Sequence, residues 1–139
     1  MAVEIKIETK GLNISPDELE KLKQEKYIAD KNIELTNYIY SEYPQAKQNS
    51  DIADKVYYES LLKAKGIENL EADIVARVER YYRGESLDDI LSDVADEDKS
   101  AYEQLIKVGI RVTWVQMCKN ELKSAIEEQK EPEFPKYPL

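Results

Sequence analysis

Arg77, Arg80 and Arg83 recur at steps of three with Tyr81 and Tyr82 beside them, a concentration of cationic and aromatic groups in a chain of formal net charge -9. Guanidinium groups fork onto phosphate or carboxylate, and tyrosine rings stack on bases or cover a partner's apolar surface. The stripe is therefore a candidate partner-binding site. Completion of a helix dipole and pairing with the chain's own acids would account for the same residues without a partner. A second constellation is acidic: Glu68 and Glu71, then Glu85 and Asp88, stand three apart and carry the oxygen ligands that Mg²⁺ prefers. The carboxylates from Asp88 to Asp98 invite a calcium-loop reading, but no glycine sits at the turn position and no glutamate closes a twelve-residue loop. Their place at helix starts explains them, since acids there are favoured by about 0.3–1 kcal/mol each.

The chain has no histidine and a single cysteine, Cys118. That removes Ser-His-Asp and Cys-His nucleophile activation, histidine acid–base catalysis and the histidine-containing zinc and di-iron ligand sets. Cys118 sits among apolar neighbours with no cation or helix start nearby to lower its pKa, so it reads as a packing thiol. Carboxylate-held Mg²⁺ survives this elimination. The Glu68-x-x-Glu71 and Glu85-x-x-Asp88 pairs are similar to the carboxylate pattern of the all-helical nucleoside triphosphate pyrophosphohydrolases, in which two helices present carboxylates that hold Mg²⁺ over a phosphate chain. The similarity covers those four residues, and it implies an Mg²⁺-dependent hydrolase as an alternative function.

Net charge opposes general affinity for nucleic-acid backbones and for anionic membrane, because such binders carry basic surfaces. The longest apolar stretch, Val108 to Cys118, is too short to cross a bilayer and contains Arg111 and Gln116. The start shows no basic region followed by an apolar one, so cytoplasmic residence is the expectation.

These residues need elements to position them. With 42% hydrophobic and 35% charged residues, few Gly and Pro and many helix formers, the chain reads as helical almost throughout. The exception is the start, where Val3, Ile5 and Ile7 alternate with charged residues at the period of a strand. Such a strand folds back through Gly11 onto residues 12–14 or pairs with another polypeptide. Ser15-Pro16-Asp17-Glu18 is a capping box that opens a helix running to about Tyr43. Leu19, Leu22, Lys26, Ala29, Ile33, Thr36, Tyr40 and Tyr43 recur along it at steps of three and four. That seam packs on the helix's own domain or forms a coiled coil with a second copy.

A polar segment, residues 45–50, leads to a second helix over about Asp51–Lys65, with Ile52, Val56, Tyr57, Leu61 and Leu62 on one side and Gly66 at its end. Asn69 is placed to cap a third helix ending before Gly84. Ser86 opens a short helix to about Val94, and Asp96 caps a last one reaching about Gln129. The middle of that helix is apolar nearly all round, which predicts a central helix enclosed by the others or one shared with a partner. If covered, Arg111 needs a carboxylate or carbonyl. Ten tyrosines against one phenylalanine suit wet core edges or a contact surface. Three prolines keep residues 131–139 extended, with Phe134 and Tyr137 able to lie across a groove.

The expected fold is all-α: a compact bundle of about five helices over residues 15–130, an N-terminal strand or hairpin arm over residues 1–14, and an extended Pro-rich tail over 131–139. The expected function is non-catalytic: a cytoplasmic protein that self-associates or serves as an adaptor or assembly factor, of a size and charge that fit a phage or mobile element. Val3, Ile5, Ile7, Val108, Ile110, Val112, Trp114, Val115 and Met117 are the candidate oligomer interface. No cofactor or metal is implied by this reading, and the partner is a protein or a second copy. A further alternative is an acidic nucleic-acid mimic that blocks a DNA-binding protein.

Overall fold

A computed structural model describes residues 14–139, and the fold is all-α. Among the described residues are five helices: α1 (Pro16–Glu42), α2 (Gln45–Ala64), α3 (Leu70–Tyr82), α4 (Leu87–Ile90) and α5 (Lys99–Glu127). The anticipated strand with Val3, Ile5 and Ile7 lies outside the described residues. No helix among those residues is long and apolar enough to cross a membrane.

Local signals place most boundaries. The Ser15 hydroxyl accepts the Glu18 amide and the Ser86 hydroxyl accepts the Asp89 amide, so each serine caps the helix it was expected to open, α1 and α4. Residues 45–50 depart from the expectation of a connector, because they form the first turns of α2. Pro44 is extended, and its carbonyl accepts the Gln48 amide. The Gln48 side chain donates to the Tyr43 carbonyl and so satisfies the end of the preceding helix.

Asn69 stands at the N-cap of α3 but is left-handed (φ 56°) and makes no side-chain cap bond; its carbonyl accepts the Asp73 amide. α4 stops at Ile90 rather than near Val94, since the Ile90 carbonyl is taken by Arg77 and the Val94 amide turns back to Leu91. Asp96 does not cap α5, which begins at Lys99 with the Tyr102 amide bonded to the Asp98 carbonyl.

The chain divides into two compact units. Among the described residues, one comprises 14–42 and 116–135, where Leu35, Ile39, Cys118, Leu122 and Ala125 are buried. Here Lys31 is held by Glu34 at 3.0 Å and Glu131 at 2.8 Å, and Tyr38 stacks on Phe134 at 5.6 Å. The other comprises residues 43–115 and 136–139, with a core built from Leu62, Leu70, Val78, Ile90, Leu105, Ile106 and Ile110. Gly109 admits the close approach of α3: a Cβ there would stand 2.6 Å from Val78 Cγ2.

For α1 and α5 the expectation that the chain's own fold covers these apolar rows is corrected, while burial against a second copy stands as an expectation. On α1 the buried positions are Lys31, Leu35 and Ile39, whereas Leu22, Ile33 and Tyr40 of the anticipated seam are exposed. Along α5, Val108, Ile110, Trp114 and Cys118 are buried, but Val112 and Met117 reach solvent, so the helix is not covered on every side.

Candidate interaction faces

The arginine–tyrosine stripe is engaged within its own unit. Arg77 is buried, forks onto Asp93 at 2.7 and 3.0 Å, reaches Asp73 at 3.1 Å, and lies over the Tyr102 ring. Arg80 forks onto Glu85 at 2.9 and 3.1 Å. Those bonds hold the carboxyls of Asp93 and Glu85 below the usual range. Tyr81 donates to the Pro138 carbonyl and Tyr82 to that of Ile110, while Arg83 is exposed.

The carboxylate pairs do not fit a metal centre. Glu85 is spent on Arg80, Glu71 lies 3.6 Å from Lys63, and Glu68 and Asp88 are exposed. Among the described residues, no three Asp, Glu, Cys or His side chains gather to hold an ion.

The consequential arrangement begins at Asp51, which is 1% exposed on α2. Arg111 Nη1 donates to both of its oxygens at 3.1 Å, the Tyr43 hydroxyl donates at 2.6 Å, and Lys47 Nζ stands 3.3 Å away. Arg111 Nε donates in turn to the Tyr137 hydroxyl, and the Tyr137 ring meets Trp114 edge-on at 5.1 Å. A buried charge is tolerated only when paired and bonded, and this pair is both. Burial, then the bond to Asp51, raises the pKa of the Tyr43 hydroxyl far above its ordinary 10.0.

Facing Asp51 inward turns α2 over. Its inner side carries Asp51, Tyr58, Glu59 and Leu62, while Ile52, Val56, Tyr57 and Leu61 are 64, 63, 59 and 42% exposed. Four of the five residues grouped by their spacing as one apolar side thus face outward. No acid lies among the exposed residues of α2, although Lys55 and Lys63 do. α3 extends this surface: Glu71 and Val75, four apart, share a face, Glu71 meets Lys63, and Val75 is 58% exposed.

α1 leaves a second apolar row outward, Leu22, Ala29, Ile33 and Tyr40, at heptad-like steps. In the same unit, α1 and α5 enclose a groove of about 450 Å³ lined by Leu35, Ile39, Leu122, Ile126, Lys119 and Lys123 among others.

Of the interface residues picked from sequence, Val108, Ile110 and Trp114 are buried, Val115 is half-buried, and Val112 and Met117 are exposed. The α2 face was visible in sequence as a stripe; its direction was not. The available signal was the second row Asp51-Tyr58-Leu62, whose acid could match the arginine that needed a partner. Comparison with family models, curated proteins and solved structures finds no match.

Proposed function

We propose that this is a non-catalytic protein that acts by contact with other protein, through self-association or as an adaptor or assembly factor, in a cytoplasmic setting. The observation that carries the reading is the outward apolar face of α2. Scattered exposed apolar residues are ordinary, but a contiguous run of them at the surface of a charged protein marks a place where water is excluded by something else. The lone cysteine, buried as a thiol, suits a reducing compartment. An assembly role in a phage or mobile element is compatible with the size and charge.

The test is a photoreactive benzoyl-phenylalanine in place of Tyr57, which is 59% exposed. Irradiation of the intact chain in its native extract should give a discrete protein adduct. The same group at Asp96, whose side chain is 97% exposed, should give none. Equal labelling at both positions, or none at either, would refute the reading.

A further inference from the structure

We infer that copies of this chain pair by exchanging their C-terminal segments, residues 131–139 of one copy lying on the surface that holds them in the other. The pairing uses surfaces other than the outward face of α2.

The segment has the pattern of a peptide ligand. Its prolines stand at 132, 135 and 138 and its anchoring side chains at 131, 134 and 137, the repeat of three at which a polyproline II peptide presents one edge. In one unit Glu131 accepts Lys31 at 2.8 Å, Phe134 stacks on Tyr38 at 5.6 Å, and the Tyr38 hydroxyl donates to the Pro135 carbonyl at 2.9 Å. In the other, Tyr137 meets Trp114 and Arg111, and the Tyr81 hydroxyl donates to the Pro138 carbonyl at 2.8 Å. Aromatic rings that receive a proline-spaced segment are the usual receptor for such a peptide, and hydroxyl donors suit it because proline supplies an acceptor and no donor. None of residues 131–139 is itself buried, so the segment detaches as a surface ligand does.

The turn that delivers the segment is the disfavoured one of three alike. α2, α3 and α5 end on the same pair of bonds: the amide of a left-handed residue returns to the carbonyl three back, and the next amide to the carbonyl five back. At α2 and α3 that residue is glycine, Gly66 at φ 84° and Gly84 at φ 98°; at α5 it is Gln129 at φ 56°. A Cβ disfavours this conformation by roughly five- to thirtyfold. The turns between helices thus carry the residue that suits them, and the turn into the tail does not. The Glu133 amide donates to Glu121, so the chain doubles back here. In an exchanged pair the connection runs on to the neighbour, Gln129 returns to negative φ, and the same side chains of the other copy reproduce every contact of the segment.

Docking within one copy benefits from a short connection, with an effective concentration on the order of millimolar, so exchanged pairs accumulate in concentrated protein. The full chain held near that concentration, then separated by size exclusion with light scattering, should contain a two-copy species. Gln129→Gly suits the turn and should reduce its share by about fivefold or more. Gln129→Pro, whose φ is fixed at about −65°, should make it the main species, with circular dichroism checking that the helices persist. Benzoyl-phenylalanine in place of Phe134, in isotopically heavy chain mixed with light chain, identifies the joint. The irradiated two-copy fraction should contain heavy residue 134 joined to light α1 near Tyr38, and the one-copy fraction only heavy joined to heavy.

Absence of a two-copy species from both the unaltered chain and Gln129→Pro overturns the inference, and so does a share that rises with Gln129→Gly. A two-copy fraction whose adducts all lie within one chain overturns it as well. Val56→Asp should leave the two-copy share unchanged; if it removes that species, the copies join through α2, the exchange falls and the contact function stands. Heavy-to-light adducts at residue 134 with no capture at Tyr57 would leave the exchange standing without the α2 face.

Discussion

A carboxylate removed from water must be neutralised, and Asp51 meets that demand with Arg111, Tyr43 and Lys47. Arg111→Ala strands the acid and should cost about 3–5 kcal/mol in denaturant unfolding, whereas Asp51→Leu with Arg111→Met and Tyr43→Phe, which leaves no buried hydroxyl without its acceptor, should be close to neutral. A small effect of the single change would mean water reaches Asp51. Tyr43 makes the same site sensitive to alkali. Its folded pKa lies above the unfolded 10.0, so its contribution is complete below that value and is lost as pH rises toward the folded one. Thermal unfolding should therefore fall off above about pH 10, and Tyr43→Phe should flatten that limb. At Cys118, 0% exposed, burial pushes the thiol up to about 11. Thiol reagents at mildly alkaline pH should label it only as fast as the protein opens; prompt labelling of the folded chain would contradict the packing.

Among the elements, α3 is anchored by charge and by close approach. Asp93 and Glu85 titrate below their ordinary 3.8 and 4.5, so the stabilisation they carry is present above those values and disappears as pH falls through the depressed ones. Arg77→Gln should flatten the acid limb of a plot of unfolding midpoint against pH, and an unchanged slope would show the fork to be idle. At Gly109 alanine would gain about 1 kcal/mol of helix propensity, yet its methyl would meet Val78 Cγ2 at 2.6 Å. Overpacking typically costs about 1–3 kcal/mol, so Gly109→Ala should be a net loss. Adding Val78→Ala should cost less than the two single changes summed; strict additivity would refute the contact. Helix existence was legible from Ser15 and Ser86 because capping is local chemistry. Helix direction was not. On α2 the apolar spacing of Ile52, Val56 and Tyr57 outweighed Asp51 in any local reading, and only an arginine sixty positions away made the acid the inward residue. For α1, likewise, the row with better hydrophobic spacing is outside, while Lys31 turns inward to reach Glu131. The arginine stripe was legible as a cluster, but its use depended on Asp93 and Glu85 arriving from the following turn.

At the scale of the whole molecule, α5 and the C-terminal residues each contribute to both units, so the last nine residues work as structure although they form neither helix nor strand. Residues 131–135 supply Glu131 to Lys31 and Phe134 to Tyr38 in one unit. Residues 136–139 supply the Tyr137 hydroxyl to Arg111, the Tyr137 ring to Trp114, and the Pro138 carbonyl to Tyr81 in the other. Each proline fixes one backbone angle before folding, which lowers the entropy lost when the segment docks. Removing the last four residues therefore takes a ring from the single tryptophan and two hydrogen bonds from one unit while leaving the pairs of Lys31 untouched. The Arg111–Asp51 pair itself remains, so the truncated chain should keep its helical circular dichroism and lose about 3–6 kcal/mol, the scale of one neutral bond, one bond from a guanidinium and one ring contact. Trp114 emission should shift to the red as water reaches the uncovered ring, and Tyr137→Ala should reproduce most of that shift at full length. Unchanged emission from the truncated chain would mean that the tail does not cover Trp114 in solution. A chain that unfolded altogether would mean that the last four residues support the entire unit rather than one edge of it.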